Sequence, residues 1–227
     1  MNKDRKNGYS LSDLQHQGKC AFMAGDYDRA LAFFQQDVQE NMDHVDSWFH
    51  LGYCRSIMGQ WQTAAEAYEA VIKQQPDNAH AHEMLGTAYH KTGRFSDAVR
   101  FLQKALDLRP DDALTQCNQG LALREMGMLG EAEQAFRKAI NLKGEFAYAH
   151  FELGQTLVEQ DRWAEAEMEY KRAVEIEPDF ARAHMSLAIV FLVLGRLSEA
   201  QVKYHQLKSM DSHLAAKLHD AIESPGP

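Results

Sequence analysis

At 227 residues and a net charge of −9, the chain shows no basic stripe able to track a phosphate backbone, which excludes a nucleic-acid partner. Its closest approach to a membrane span, Ala188 to Leu194, falls far short of the ~20 apolar residues such a helix needs. The opening MNKDRKNGYS has charges with no apolar stretch behind them, so neither a secretory leader nor direct membrane insertion is expected. The protein is expected in the cytoplasm, reaching a membrane or organelle only through a partner. Cys20, Cys54 and Cys117 form no close pair and read as small core residues rather than redox or metal groups.

After an expected flexible start over 1–10, the sequence falls into six windows of 34 residues without insertion: 11–44, 45–78, 79–112, 113–146, 147–180 and 181–214. Each has alanine at its twentieth position (Ala30, Ala64, Ala98, Ala132, Ala166, Ala200) and a small residue at its eighth (Gly18, Gly52, Gly86, Gly120, Gly154, Ala188). Apolar residues recur at three- and four-residue intervals, interrupted near the fifteenth position by Gly25, Gly59, Gly93, Gly127 or Gly195. This predicts two short amphipathic helices per window, the first ended by glycine, and small residues where the two approach closely. One hairpin cannot bury its apolar face, so neighbours are expected to share a core. The fold class is therefore all-α, a solenoid of six tandem helix-turn-helix units.

Taken in order, the windows differ in detail. The first has Gln17, Asp37 and Met42 where leucine, a small residue and proline stand elsewhere, and reads as an N-terminal capping unit with polar groups tolerated because no neighbour covers them. The fourth has Gln119 and Gly144 at the leucine and proline positions; glycine restrains the joint less than proline, which predicts softness there. The fifth has Asp161 for glycine and sets nine acidic residues against three basic ones; this surplus either attracts a basic partner or makes a solvated face. A capping helix is expected over 215–222 from Leu214, Leu218, Ala221 and Ile222, and a flexible tail over 223–227, ending Ser224, Pro225, Gly226, Pro227.

The second window reads Trp48, Leu51, Gly52, Gly59, Trp61, Ala64, Tyr68 and Pro76, the third Leu85, Gly86, Tyr89, Gly93, Phe95, Ala98, Leu102, Ala105 and Pro110. The fifth has Leu153, Gly154, Trp163, Ala166, Tyr170, Ala173 and Pro178. This pattern resembles the tetratricopeptide repeat (TPR) family from Leu11 to Leu214. The resemblance implies a right-handed superhelix whose first helices line a concave, partner-binding groove through window positions two, five, nine and twelve. In this sequence the groove is expected to comprise Phe49, Tyr53, His80, Glu83, Thr87, Leu114, Asn118, Leu121, Tyr148, Phe151, Gln155, Arg182, Met185 and Ile189. Serine at Tyr148 and Phe151 is then expected to abolish partner capture and spare helicity. Chaperone-binding members carry a carboxylate clamp, of which only Asn118 is matched here, so docking of an acidic chaperone tail is disfavoured.

Eleven histidines raise the question of a metal, but His80 and His82 leave different faces of one helix, while His82, His150 and His184 all occupy the fourth position, which suits packing. No phosphate loop, nucleophile elbow or metal-hydrolase motif is present, and neither an enzyme nor a cofactor is expected. The reading is a non-catalytic adaptor that holds other proteins or peptide segments in its groove, with self-assembly into a homo-oligomer as one form. A proline-free first unit, the run Val45, Asp46, His50, Leu51, Gly52 and a short C-terminal helix resemble the magnetosome-associated TPR proteins of magnetotactic bacteria, which would imply a self-assembling coat scaffold on an organelle. The alternative is a regulatory or substrate-recruiting subunit for an enzyme on another chain.

Overall fold

The computed structural model describes residues 11–223, with side chains from Asp13 onward; residues 1–10 and the end of the expected tail, 224–227, lie outside the described residues. Among the described residues there are thirteen α-helices and no strand. The first compact unit, ending at Asp111, contains α1 (Leu11–Met23), α2 (Tyr27–Glu40), α3 (Val45–Ile57), α4 (Trp61–Gln74), α5 (Ala79–Lys91) and α6 (Phe95–Leu108). The second, beginning at Asp112, contains α7 (Ala113–Glu125), α8 (Leu129–Leu142), α9 (Ala147–Glu159), α10 (Trp163–Ile176), α11 (Ala181–Val193), α12 (Leu197–Met210) and α13 (Ser212–Glu223). Each odd helix through α11 folds back on the even helix after it, giving an all-α helical repeat. No helix is long and apolar enough to cross a membrane.

Each hairpin turn is made by one residue in the left-handed region. Gly93, at φ 76°, closes α5 by donating to the His90 carbonyl at 3.1 Å, while Arg94 donates to the Tyr89 carbonyl at 2.8 Å. Asp161 takes the same conformation at φ 59°, one of the few side chains that tolerates it.

The hairpins close on the small eighth residue. A Cβ on Gly154 would lie 2.6 Å from the Tyr170 ring, one on Gly120 2.7 Å from Phe136, and one on Gly52 2.8 Å from Tyr68. The ring of the second helix therefore lies on bare backbone of the first, and Tyr68, Phe136 and Tyr170 are wholly buried. The twentieth-position alanines are wholly buried as well. In the sixth hairpin Ala188 occupies this place; the corresponding ring, Tyr204, is only half-buried and stacks on His219 of α13 at 5.3 Å.

Two sequence expectations change. Asp37 is not an exposed polar group of a cap: it is 0 % exposed, because α3 covers it, and its carboxylate accepts from the Ser47 hydroxyl and pairs with His44 Nδ1 at 2.9 Å. The C-terminal helix starts at Ser212, three residues before the expected Ala215, and extends through Glu223 into the expected tail. Asp211 is the reason. It ends α12 and at once caps α13, its Oδ1 accepting from the backbone N–H groups of His213 and Leu214 at 3.0 Å each.

Gly154→Ala should lower the free energy of unfolding by about 1–3 kcal/mol, as overpacking against a fixed ring does. Asp161→Gly should raise it by about 0.5–1 kcal/mol, by relieving the left-handed side chain. Urea unfolding followed by circular dichroism reads both changes.

Candidate functional site

The face presented by the odd helices holds the expected groove residues, and the structure sorts them. In the first unit Phe49 is half-buried over Tyr68 and stacks on exposed His80, ring centres 4.9 Å apart. Beside them lies an open hollow of about 220 Å³, walled by Val45, Asp46, Phe49, His50 and His80. Tyr53 is exposed and leans on Phe22 at 5.5 Å. Thr87 is half-buried. Glu83 does not face a partner: it is 3 % exposed and is held by Arg109 at 2.9 Å, with His80 Nδ1 3.3 Å away.

In the second unit Leu114 is 53 % and Ile189 41 % exposed, while Asn118, Leu121, Tyr148, Gln155 and Met185 are half-buried. Phe151 is 1 % exposed, packed among Tyr170, Phe180 and Tyr148, with the Arg182 guanidinium 4.8 Å above its ring. It therefore belongs to the core. Serine there would cost about 3–5 kcal/mol and damage the fold rather than test capture. Gln155 accepts from the Tyr170 hydroxyl at 2.5 Å, which ties it to the same core. Of the expected residues of this unit, Arg182, Leu114 and Ile189 are exposed, and Leu121 and Met185 are half-buried outside this core contact.

Two exposed apolar residues lie outside the expected groove positions. Ile57 and Val193 are 44 % and 53 % exposed, one turn beyond Tyr53 and Ile189, and widen both patches. The signal was present: residues four apart share a helix face.

Beneath this surface lies a buried polar cluster. Glu152 is buried and receives Arg124 Nη1 at 2.6 Å. Burial, and then the Glu152 charge, push the Tyr148 hydroxyl well above the ordinary tyrosine value. Burial likewise pushes the Cys117 thiol up to about 12 and that of Cys54 to about 11, so both remain protonated and unreactive.

Much of the acidic surplus of the fifth hairpin is paired, while Asp161, Glu177 and Asp179 are exposed. Glu152 and Glu159 meet Arg124, Glu165 meets Arg162, Glu167 meets Arg196 and Lys171, Glu169 meets His150, and Glu175 meets Arg172. Flanking hairpins supply Arg124 and Arg196, which a count confined to one window leaves out. Burial raises the Glu133 and Glu167 carboxyls, but hydrogen bonds from Arg162 and Arg137, and from Lys171 and Arg196, outweigh it and hold both below the ordinary value.

The fourth-position side chains fasten the joints between hairpins. His82 Nε2 lies 2.7 Å from the Pro76 carbonyl and His184 Nε2 2.9 Å from that of Pro178; Trp48 Nε1 donates to the Met42 carbonyl at 2.9 Å. Ahead of α9, where Gly144 replaces proline, His150 instead turns Nδ1 to Glu169 at 2.7 Å. Phe146 offers α9 no side-chain cap, whereas Asn78 caps α5. Among the described residues no three His, Cys, Asp or Glu side chains are grouped to hold a metal ion.

The sequence profile described as Tetratricopeptide repeat matches residues 58–113, 117–179 and 157–202. The chain belongs to the tetratricopeptide repeat family. A profile described as Anaphase-promoting complex, cyclosome, subunit 3 matches residues 5–71. Among solved structures, one of MamA is 25 % identical with a TM-score of 0.68, over 73 % of this chain and 96 % of that one. YrrB, described as a TPR protein with an unusual peptide-binding site, is 22 % identical with a TM-score of 0.67, over 80 % and 91 %. PilF of Pseudomonas aeruginosa is 17 % identical with a TM-score of 0.75, over 92 % and 96 %. No curated protein matches the chain. The TPR family is in general a non-catalytic interaction fold, and the exposed apolar side chains described above are placed on such a fold.

The joint at His184 predicts a pH dependence. Burial lowers its pKa, the Pro178 carbonyl acts against this, and Lys203 adds to the lowering. Above the ordinary histidine value both folded and unfolded chains hold it neutral, and the joint contributes fully. As pH falls through that value the unfolded chain takes up a proton that the folded chain resists, so stability is lost. The thermal midpoint should therefore fall between pH 7 and pH 5, less steeply in His184→Gln, as calorimetry across that range would record.

Proposed function

We propose that this TPR chain is a non-catalytic scaffold that receives apolar segments of partner proteins on the faces of its odd-numbered helices. The carrying observation is the set of large apolar side chains left in water on those helices: Tyr53 and Ile57 in the first unit, Leu114, Ile189 and Val193 in the second. Soluble proteins seldom leave such side chains clustered without a contact to make. Half-buried Leu121 shares α7 with Leu114 and half-buried Met185 shares α11 with Ile189 and Val193, and exposed Arg182 on α11 suits a segment that also carries a carboxylate. The narrower reading, a self-assembling coat scaffold of the magnetosome type, draws its support from the likeness to MamA alone.

Leu114→Ser with Ile189→Ser removes apolar surface without touching the core, so helicity should be unchanged. In quantitative capture from extract of the source cell, proteins retained by the unaltered chain should fall about tenfold or more with the double variant, equivalent to loss of about 1.4 kcal/mol. Equal capture by both would overturn the reading.

A further inference from the structure

The joint between the fourth and fifth hairpins, residues 143–146, lacks the restraints that the following joint has. At 177–180 the Phe180 N–H donates to the Glu177 carbonyl at 3.1 Å, Pro178 fixes the turn, and His184 Nε2 lies 2.9 Å from the Pro178 carbonyl. At 143–146 no backbone hydrogen bond closes the turn, Gly144 stands at the proline position, and His150 turns Nδ1 to Glu169 instead. Glycine leaves this segment more conformations than proline would. The backbone is nonetheless shaped for proline. Lys143 is extended at φ −138°, ψ 91°, close to Glu177 at φ −128°, ψ 88°, and a Cβ on Gly144 would meet nothing within 4 Å.

Ion pairs bridge these two hairpins. Arg124 of α7 reaches Glu152 of α9 at 2.6 Å and Glu159 at 3.6 Å, and Arg162, just before α10, reaches Glu133 of α8 at 2.6 Å. Arg137 of α8 lies 3.9 Å from Glu165 and 4.0 Å from Glu169 of α10. Across 177–180 Arg196 makes the corresponding link to Glu167 at 2.6 Å, there in addition to the proline and its hydrogen bonds. The Arg124–Glu152 pair is largely buried, whereas the Arg137 side chain is exposed and its pairs are open to screening by salt.

We propose that residues 143–146 form a hinge whose geometry is held by the ion pairs between the fourth and fifth hairpins, in place of the backbone restraint found at 177–180. Leu114 on α7 lies on one side of this hinge and Ile189 on α11 on the other, so the hinge sets their separation. The inference stands whether or not those side chains receive a partner. Screening or removal of the pairs frees the hinge. At 177–180 the same loss is absorbed by Pro178 and the hydrogen bonds around it.

The test compares the two joints directly. Gln134, Met168 and Val202 occupy the same place in the fourth, fifth and sixth hairpins, and all three are exposed. Nitroxide labels at Gln134→Cys and Met168→Cys span the hinge, and labels at Met168→Cys and Val202→Cys span the next joint, each in the full chain with Cys20→Ser removing the exposed native thiol. Dipolar broadening of the EPR spectrum reads the spread of distances within each pair. Raising sodium chloride from about 0.05 M to about 1 M, which shortens the Debye length to about 3 Å, should widen the first spread and leave the second unchanged. At low salt Glu133→Gln should widen the first spread, Glu167→Gln should leave the second as it is, and Gly144→Pro added to Glu133→Gln should narrow the first again. Salt acts on the unaltered ion pairs, so it decides the matter should Glu133→Gln reduce helicity. A first spread unmoved by salt, equal widening at both joints, or no narrowing by Gly144→Pro would each overturn the proposal.

Discussion

A ring laid on bare backbone is the contact from which the rest of this architecture follows. Where the eighth residue has no side chain, the second helix of a hairpin can bring Tyr68, Phe136 or Tyr170 against the first at a distance no Cβ would allow. That approach sets the separation of the two helices and commits each hairpin to a narrow, alanine-lined seam. The sixth hairpin shows the dependence by departing from it. One methyl group, on Ala188, coincides with a tyrosine moved outward, and α13 is there to receive it.

Much of what lies on the odd-helix faces serves the fold before it serves a partner. Phe151 and Glu83 are core residues, Gln155 is tied to Tyr170, and Arg124 is held by Glu152. The side chains left over are those whose neighbours cannot reach them, chiefly at positions nine and thirteen of a window. The exposed apolar side chains therefore form short strips supported by a buried polar layer, and a rigid support of this kind limits the entropy lost in any contact made on it.

The period of 34 residues and the alanine and glycine positions made the hairpins legible, because helix termination and close packing are local demands that one residue type meets best. Burial within the expected groove was less legible. Whether Phe151 faces solvent depends on Phe180 and Tyr170, which lie far along the chain but close in space. Asp37 misled for the same reason: a carboxylate in a first repeat reads as exposed until Ser47 and His44 are seen to surround it. The acidic surplus of the fifth hairpin is partly offset by Arg124 and Arg196 of adjoining hairpins, which a count within one window leaves out. Properties that belong to one helix could be read from the sequence; those that belong to a joint between hairpins could not.

The ion pairs of the second unit carry a further consequence. Arg162 reaches back 29 residues to Glu133, and Arg196 reaches back 29 residues to Glu167. Because both links have the same span and join the same positions of successive hairpins, they are interchangeable. Excision of 147–180 would bring Arg196 opposite Glu133 in the geometry that Arg162 now occupies, and a duplicated copy of that segment would arrive with its own partner already in place. Electrostatically this stretch of the chain is indifferent to its own length, so a gene encoding it can lose or gain a whole hairpin without stranding either charge of these links.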